Sequence, residues 1–249
     1  MENLKTLDSK RLSEIIKSFD GKLFQSEAQF QFELAWKLKE VYGDNIAVYL
    51  EDMRAVMKNE KGKITQKFYT DIVVEQGDYC VAIELKYKTA EFKNKDVQLS
   101  DHAAVDLGKY DYLWDVHRVE LLTGLSKPNN KVKGEELEIL KKCQKGFAVL
   151  LTNEEKYWEG RQGNKITIDY QFSIGEKNGK LSGKVLDWKK TGDKYPATVL
   201  SKNGNPTGRA QPIKLKTAYH YTWSDYREAQ PGAPEHGTFR FVIIEVDGE

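Results

Sequence analysis

The sequence has little cysteine: Cys80 and Cys143 are the only two in 249 residues. Two thiols cannot build the multi-bridge framework of a small secreted domain, nor a four-cysteine zinc site. Cys80 lies in an apolar, strand-like run and reads as a packing residue. Proline is scarce too, at six residues, yet there are ten Phe and thirteen Tyr. A chain so rich in aromatics buries a core and does not stay disordered. No apolar run approaches the roughly 18 residues of a membrane span, so no membrane partner is expected. The opening residues, Met1 to Lys10, carry charge with no apolar core behind it, so no secretory signal is visible. Together these absences point to an intracellular, reducing, cytoplasmic setting. The length suits one large domain or two small ones.

No excess of one charge is present either, since 39 Lys and Arg face 38 Asp and Glu, a net charge of +1. The distribution is uneven. Between Lys177 and Lys216 ten basic residues face only Asp187 and Asp193, a local +8, so the rest of the chain sums to 1 − 8 = −7. A phosphate-facing flank on an acidic body would show this asymmetry. Within the wider basic segment, residues 155–237, Trp188, Tyr195, Tyr219, Tyr221, Trp223 and Tyr226 interleave with Lys and Arg. They either finish a core or stack bases. Lys189, Lys190, Lys194 and Arg209 are the candidate phosphate contacts.

Hydrophobic periodicity predicts a helix from Leu23 to Val41, with Ser26 as an alternative cap for a later start, because Gln29 follows three residues on. A strand from Ile46 to Glu51 follows, then a charged turn, Met57 to Lys63. Strands at Phe68–Glu75 and Tyr79–Tyr87 flank Gln76-Gly77-Asp78. Helical stretches are expected at Val97–Val119 and Gly134–Lys145, a buried strand at Phe147–Thr152 and a closing strand at Phe239–Val246. The expected fold class is α/β with a mixed sheet. Residues 1–154 form the core, 155–237 a basic β-rich elaboration packed on it, and 238–249 a strand returning to the core sheet.

Chemistry shows where charge interrupts an apolar pattern. On the first helix, Leu23, Phe24, Phe30, Leu34, Leu38 and Val41 form one stripe, with Glu27 and Gln31 in its middle. Glu27 is either wet at a fraying first turn, where a carboxylate suits the helix dipole, or aimed at a site. On Val81–Lys88, Ala82, Glu84, Lys86 and Lys88 share a face, which alone describes a half-exposed strand. The preceding strand changes the balance. A two-residue Gly77-Asp78 turn makes paired positions sum to 155, which sets Asp71 opposite Glu84. Opposed carboxylates about 5 Å apart repel, and a divalent cation would turn that repulsion into attraction. Oxygen donors suit Mg²⁺ or Mn²⁺, and the Leu85 carbonyl could add a ligand. Lys86 would orient or deprotonate a metal-bound water, or stabilise the transition state. Alternatively, the carboxylates form a buried structural ion pair with Lys86.

Asp71, twelve residues, then Glu84-Leu85-Lys86 resembles the PD-(D/E)XK nuclease motif, on two successive strands and preceded by a helix bearing Glu27. The element order over about residues 23–152 is similar to that family's restriction-endonuclease-like core: a helix, a three-stranded meander, a helix and a fourth strand. Thr70 stands where the family has proline. About half the chain is covered, and nothing carries over to 155–237. The resemblance implies Mg²⁺- or Mn²⁺-dependent hydrolysis of DNA phosphodiesters, with Glu27, Asp71, Glu84 and Lys86 catalytic and Asp71, Glu84 and Leu85 holding metal. RNA fits the same chemistry, and nucleases that cut both strands often act as homodimers. In that fold the helix after the motif lies beside the active-site strand, so Gln98 and Lys109, like Gln31, could support the site. A non-catalytic nucleic-acid- or protein-binding module on the same core is the alternative. A nucleophile elbow and a Walker loop are both absent, so serine hydrolysis and nucleotide hydrolysis by those routes are not expected.

Overall fold

The computed structural model describes residues 2–95, 97–102, 104–127, 135–160, 166–176, 185–229 and 235–248. Ala103 and Gly134, and Lys177, Lys180 and Lys184 of the basic flank, lie outside them. The architecture is mixed α/β, with three α-helices and a seven-stranded mixed sheet among the described residues. The helices are α1 (Ser9–Lys17), α2 (Glu27–Tyr42) and α3 (Val105–Thr123). The strands are β1 (Ala47–Asn59), β2 (Ile64–Gln76), β3 (Tyr79–Lys88), β4 (Phe92–Lys93), β5 (Gln98–Leu99), β6 (Glu135–Ile139), β7 (Lys145–Thr152), β8 (Val185–Leu186), β9 (Ile213–Lys214), β10 (Trp223–Arg227) and β11 (Phe239–Asp247). The large sheet runs β10-β11-β7-β3-β2-β1-β6. No helix among the described residues is long and apolar enough to cross a membrane.

The chain divides into two compact units: residues 1–85, 118–149 and 244–249 form the first, and 86–117 and 150–243 the second. Both draw on segments before and after residue 154. The division falls within β3, between Leu85 and Lys86, and within α3, between His117 and Arg118.

In the first unit, α2 starts where the capping signal puts it. The Ser26 hydroxyl accepts from the Gln29 N–H, which satisfies an orphan donor of the first turn, and the Gln29 side chain accepts from the N–H of Gln25, just before the cap. Leu23 and Phe24 therefore precede the helix. Gly43 ends it at φ +75°, a conformation glycine adopts without a Cβ clash. The buried face is Phe30, Gln31, Leu34, Ala35, Leu38 and Tyr42, and it packs toward β1 and β2. The β2–β3 register runs Gln76↔Tyr79, Glu75↔Cys80, Val74↔Val81, Val73↔Ala82, Ile72↔Ile83. Each pair sums to 155, as the Gly77-Asp78 turn predicts.

Three expectations are corrected. Residues 135–145 do not form a helix: Glu135–Ile139 is β6, antiparallel to β1. Leu137 and Ile139 alternate there with Glu136 and Glu138, and pairing with β1 outweighs the helix propensity of Glu, Leu and Lys. The helix expected from Val97 begins only at Val105, after Ala104 at φ +31°, and Gln98 lies in β5, which pairs with β4. Cys80 is buried in a cluster with Val73, Ala82 and Leu122, as a packing residue should be, but it is also bonded to Cys143 in a disulfide.

In the second unit, Tyr110, Phe172 and Trp188 form an aromatic cluster with centroids 4.8 to 5.7 Å apart. The Trp188 indole donates to the Arg209 carbonyl and the Trp223 indole to the Ile174 carbonyl. Of the six aromatics singled out in the basic segment 155–237, all but Tyr195 are buried. Most of them finish this core.

Candidate active site

β3 is a central strand, between β7 and β2, and Tyr79–Lys88 is buried on both faces apart from partly exposed Tyr79, Lys86 and Lys88. Glu84 is therefore not a solvated side chain of a half-exposed strand; its exposure is 0%. A carboxylate so placed costs several kcal/mol unless a counter-charge meets it. Arg118 supplies one: its Nη2 lies 3.0 Å from Glu84 Oε1. The same guanidinium donates to the Tyr69 carbonyl.

Asp71 sits where regular pairing is interrupted on both sides. Toward β3 the paired register ends at Ile72↔Ile83, and Asp71 and Glu84 are the next residues beyond it on the two strands. There the Asp71 Oδ2 accepts from the Leu85 N–H at 2.6 Å, so a side chain takes the place of a ladder carbonyl. Toward β1 the register passes from Leu50↔Ile72 to Asp52↔Thr70, skipping Glu51 and Asp71. Glu51 adopts φ +51°, a left-handed conformation that costs a non-glycine residue on the order of 1 kcal/mol. Gln31 reaches in from α2, donating from Nε2 to the Asp71 carbonyl at 2.6 Å and to Glu51 Oε1 at 3.0 Å. A buried amide thus serves the carbonyl that the interrupted ladder leaves. Strain and broken pairing of this kind gather at functional sites.

Lys86, two residues after Glu84, has Asp115 Oδ2 2.7 Å from its Nζ, and Asp115 is itself buried. The strand sequence Glu84-x-Lys86 is thus answered by Asp115-x-x-Arg118 on α3, acid to base and base to acid. Neither helix residue is identifiable as a site residue from sequence spacing. Three residues apart, they would share a face of any helix, and only the fold says which face.

The remaining candidates are placed as follows. Glu27 is the first residue of α2 and half-buried, in the turn where a carboxylate suits the helix dipole. Gln98 is exposed in β5. Lys109 is buried, 3.1 Å from Asp169, and this pair holds α3 to the loop before Tyr170. Burial pushes the Asp169 carboxyl up, but the Thr167 and Lys109 contacts outweigh it, and its pKa is lowered. Of the four phosphate candidates, Arg209 is bidentate to Asp111 at 2.7 and 2.9 Å. Lys190 lies 2.8 Å from Asp187 and 4.1 Å from the Tyr195 ring centroid. Lys189 and Lys194 are exposed. A separate open pocket of the second unit is lined by Glu91, Asp101, Glu154, Glu155, Glu159 and Glu235 against Lys93 and Lys156. Its carboxylate excess disfavours a phosphate-bearing ligand.

Among the described residues no three His, Cys, Asp or Glu side chains gather into a metal-holding group. The donors expected here are different: two carboxylates, Asp71 and Glu84, and the Leu85 carbonyl. All are hard oxygens of the kind Mg²⁺ and Mn²⁺ take, so the residues fit such an ion in chemistry. No protein-family model matches the chain, no curated protein matches it and no solved structure matches it.

Proposed function

We propose that the chain is a metal-dependent nuclease of the PD-(D/E)XK type, hydrolysing DNA phosphodiester bonds. One observation carries this: the 155 register ends at Ile72↔Ile83, and just beyond it the Asp71 carboxylate accepts from the N–H of Leu85, the residue after Glu84. A helix, a three-stranded meander and α3 leading to β7, which neighbours β3, support the restriction-endonuclease-like core.

In this reading Asp71, Glu84 and the Leu85 carbonyl hold the ion. When bound, Mg²⁺ or Mn²⁺ supplies an activated water and neutralises charge growing on the phosphate. The chain's own residues do the rest. Asp71 is fixed by the Leu85 N–H, and Gln31 holds the backbone beneath it. Lys86, 2.7 Å from Asp115, would orient the water or stabilise developing negative charge. Glu27, at the start of α2, would hold a further water. Lys189 and Lys194 would grip phosphates of the substrate.

A second reading, a non-catalytic nucleic-acid-binding module, has one observation in its favour: Glu84 and Lys86 both already face an opposite charge. Mn²⁺ titration calorimetry on wild type and Glu84→Gln, with plasmid cleavage in parallel, separates the two. We expect metal binding and cleavage that both vanish in the variant. Wild-type protein that binds no Mn²⁺, even with DNA present, would sink the nuclease reading and leave the binding module. A DNA substrate implies an intracellular, cytoplasmic setting. Trapping of thiols in intact cells tests this, because a Cys80–Cys143 bond that persists there would place the chain in an oxidising compartment.

A further inference from the structure

We propose that Arg118 is the resident counter-cation of the Glu84 carboxylate, and that a divalent cation binds there in exchange with it. The exchange turns the guanidinium over to a substrate phosphate, and it rests on the metal-dependent reading above. The two members of the pair differ in freedom. Glu84 is fully buried on a central strand, so its carboxylate stays where it is. The Arg118 side chain is 22% exposed, so its guanidinium has a way to solvent that the carboxylate lacks. A guanidinium and a divalent cation on one buried carboxylate would repel strongly at low dielectric, so occupancy by one opposes occupancy by the other. Together they solve the problem of a buried carboxylate in both states: the arginine neutralises it without metal, and the metal neutralises it afterwards.

The arginine also has a second hold. Its guanidinium already donates to the carbonyl of Tyr69, two residues before Asp71 on β2, and Tyr69 is exposed. Leaving Glu84 therefore does not cast Arg118 loose. It leaves a cation at the rim of the carboxylate site, anchored to exposed backbone, with N–H groups turned from an internal carboxylate to an external anion. A planar fork suits the two free oxygens of a phosphodiester. In this role Arg118 is a substrate-binding residue whose availability is set by metal loading, so protein without metal keeps its phosphate contact closed.

The test is Mn²⁺ titration calorimetry, with thermal melts with and without Mn²⁺, on wild type and Arg118→Met in the absence of nucleic acid. Removing the competing cation should tighten Mn²⁺ binding by about tenfold, within the usual range of coupling between two sites. Mn²⁺ should also raise the melting temperature of Arg118→Met more than that of wild type. Wild type that binds Mn²⁺ while Arg118→Met binds it equally or more weakly overturns the exchange and leaves the nuclease reading standing. If neither protein binds Mn²⁺, both fall. If the tightening is seen and neither cleaves DNA, the exchange stands and the nuclease reading falls. Should Arg118→Met not fold, wild type suffices: the Arg118 guanidinium NMR signal, assigned with Arg118→Lys, should move to a solvent-exchanging position as Mg²⁺ saturates. A signal unmoved through saturation overturns the exchange.

Discussion

Gln31 connects a helix to an interruption in the sheet through one amide group. Its Nε2 donates to both the Asp71 carbonyl and the Glu51 carboxylate, and the residue is almost wholly buried. Gln31→Leu keeps roughly the shape but leaves that carbonyl without its donor. The expected loss is about 1–3 kcal/mol, the cost of a buried polar group deprived of its partner, read from urea denaturation. Metal affinity should fall in parallel, since that carbonyl belongs to Asp71 itself. Gln31 was legible in the sequence as a polar residue inside an apolar stripe. Its partner was not, because Glu51, which falls between the pairs Leu50↔Ile72 and Asp52↔Thr70, takes a left-handed conformation that no side-chain pattern announces. Lys109 shows the reverse. It looks like a site cation on the helix after the motif, but Asp169, sixty residues later, claims it. The sign of the resulting pH dependence follows from the lowered Asp169 pKa. A depressed carboxyl contributes stability above its unfolded pKa of about 3.9, and that contribution is lost as pH falls through the folded value. Asp169→Asn should therefore be least stable relative to wild type above about pH 5, with the gap closing toward about pH 2. Urea midpoints across that range measure it, and a gap independent of pH would show that the pair is not the source.

At the scale of elements, the meander and its register are the part of the fold that sequence shows best. Gly77 takes φ +59° in the turn between β2 and β3, and a two-residue turn leaves one phase for everything beyond it. β6 was hidden for a local reason. Its residues are good helix formers, and only the alternation of Leu137 and Ile139 hinted at a strand. Pairing of Ala55–Asn59 with Glu135–Ile139 decides the outcome, and such long-range pairing leaves no mark in a local window. How closely α3 approaches the sheet was equally invisible. Gly146, in β7, marks the place: a Cβ built there would lie 2.3 Å from Val119 Cγ1 of α3 and 3.4 Å from the Ala82 carbonyl of β3. The neighbouring backbone leaves little room to yield. Gly146→Ala should cost about 1–3 kcal/mol through overpacking. Because Arg118 is the residue just before Val119 on α3, the shift should also weaken the Glu84 pair. Metal-free thermal melts together with Mn²⁺ affinity would show both, and an unchanged melting temperature would mean that α3 can ride outward at no cost.

Over the whole molecule, the charge distribution read from sequence survives only in part as free positive surface. The flank from Lys177 to Lys216 carries +8, yet two of its cations are already spoken for: Arg209 by Asp111 and Lys190 by Asp187. Net charge along a segment counts cations, while nucleic-acid binding counts cations with no internal carboxylate to hold them. Among the described residues Lys189 and Lys194 form no ion pair, so a phosphate would find them without breaking one. Each phosphate contact contributes about 0.9 to the slope of log K against log salt on duplex DNA. The double variant Lys189→Ala/Lys194→Ala should therefore flatten that slope by about 2 and weaken binding alike for all sequences, with the melting temperature unchanged. Arg209→Ala should change the slope by less, because part of what its guanidinium offers a phosphate is already given to Asp111, and it should lower the melting temperature as Asp111 loses its partner. Fluorescence anisotropy with a duplex at a series of salt concentrations separates the two. A slope unchanged in the lysine double variant would place the grip on DNA outside this flank and leave its lysines as solvated surface charge.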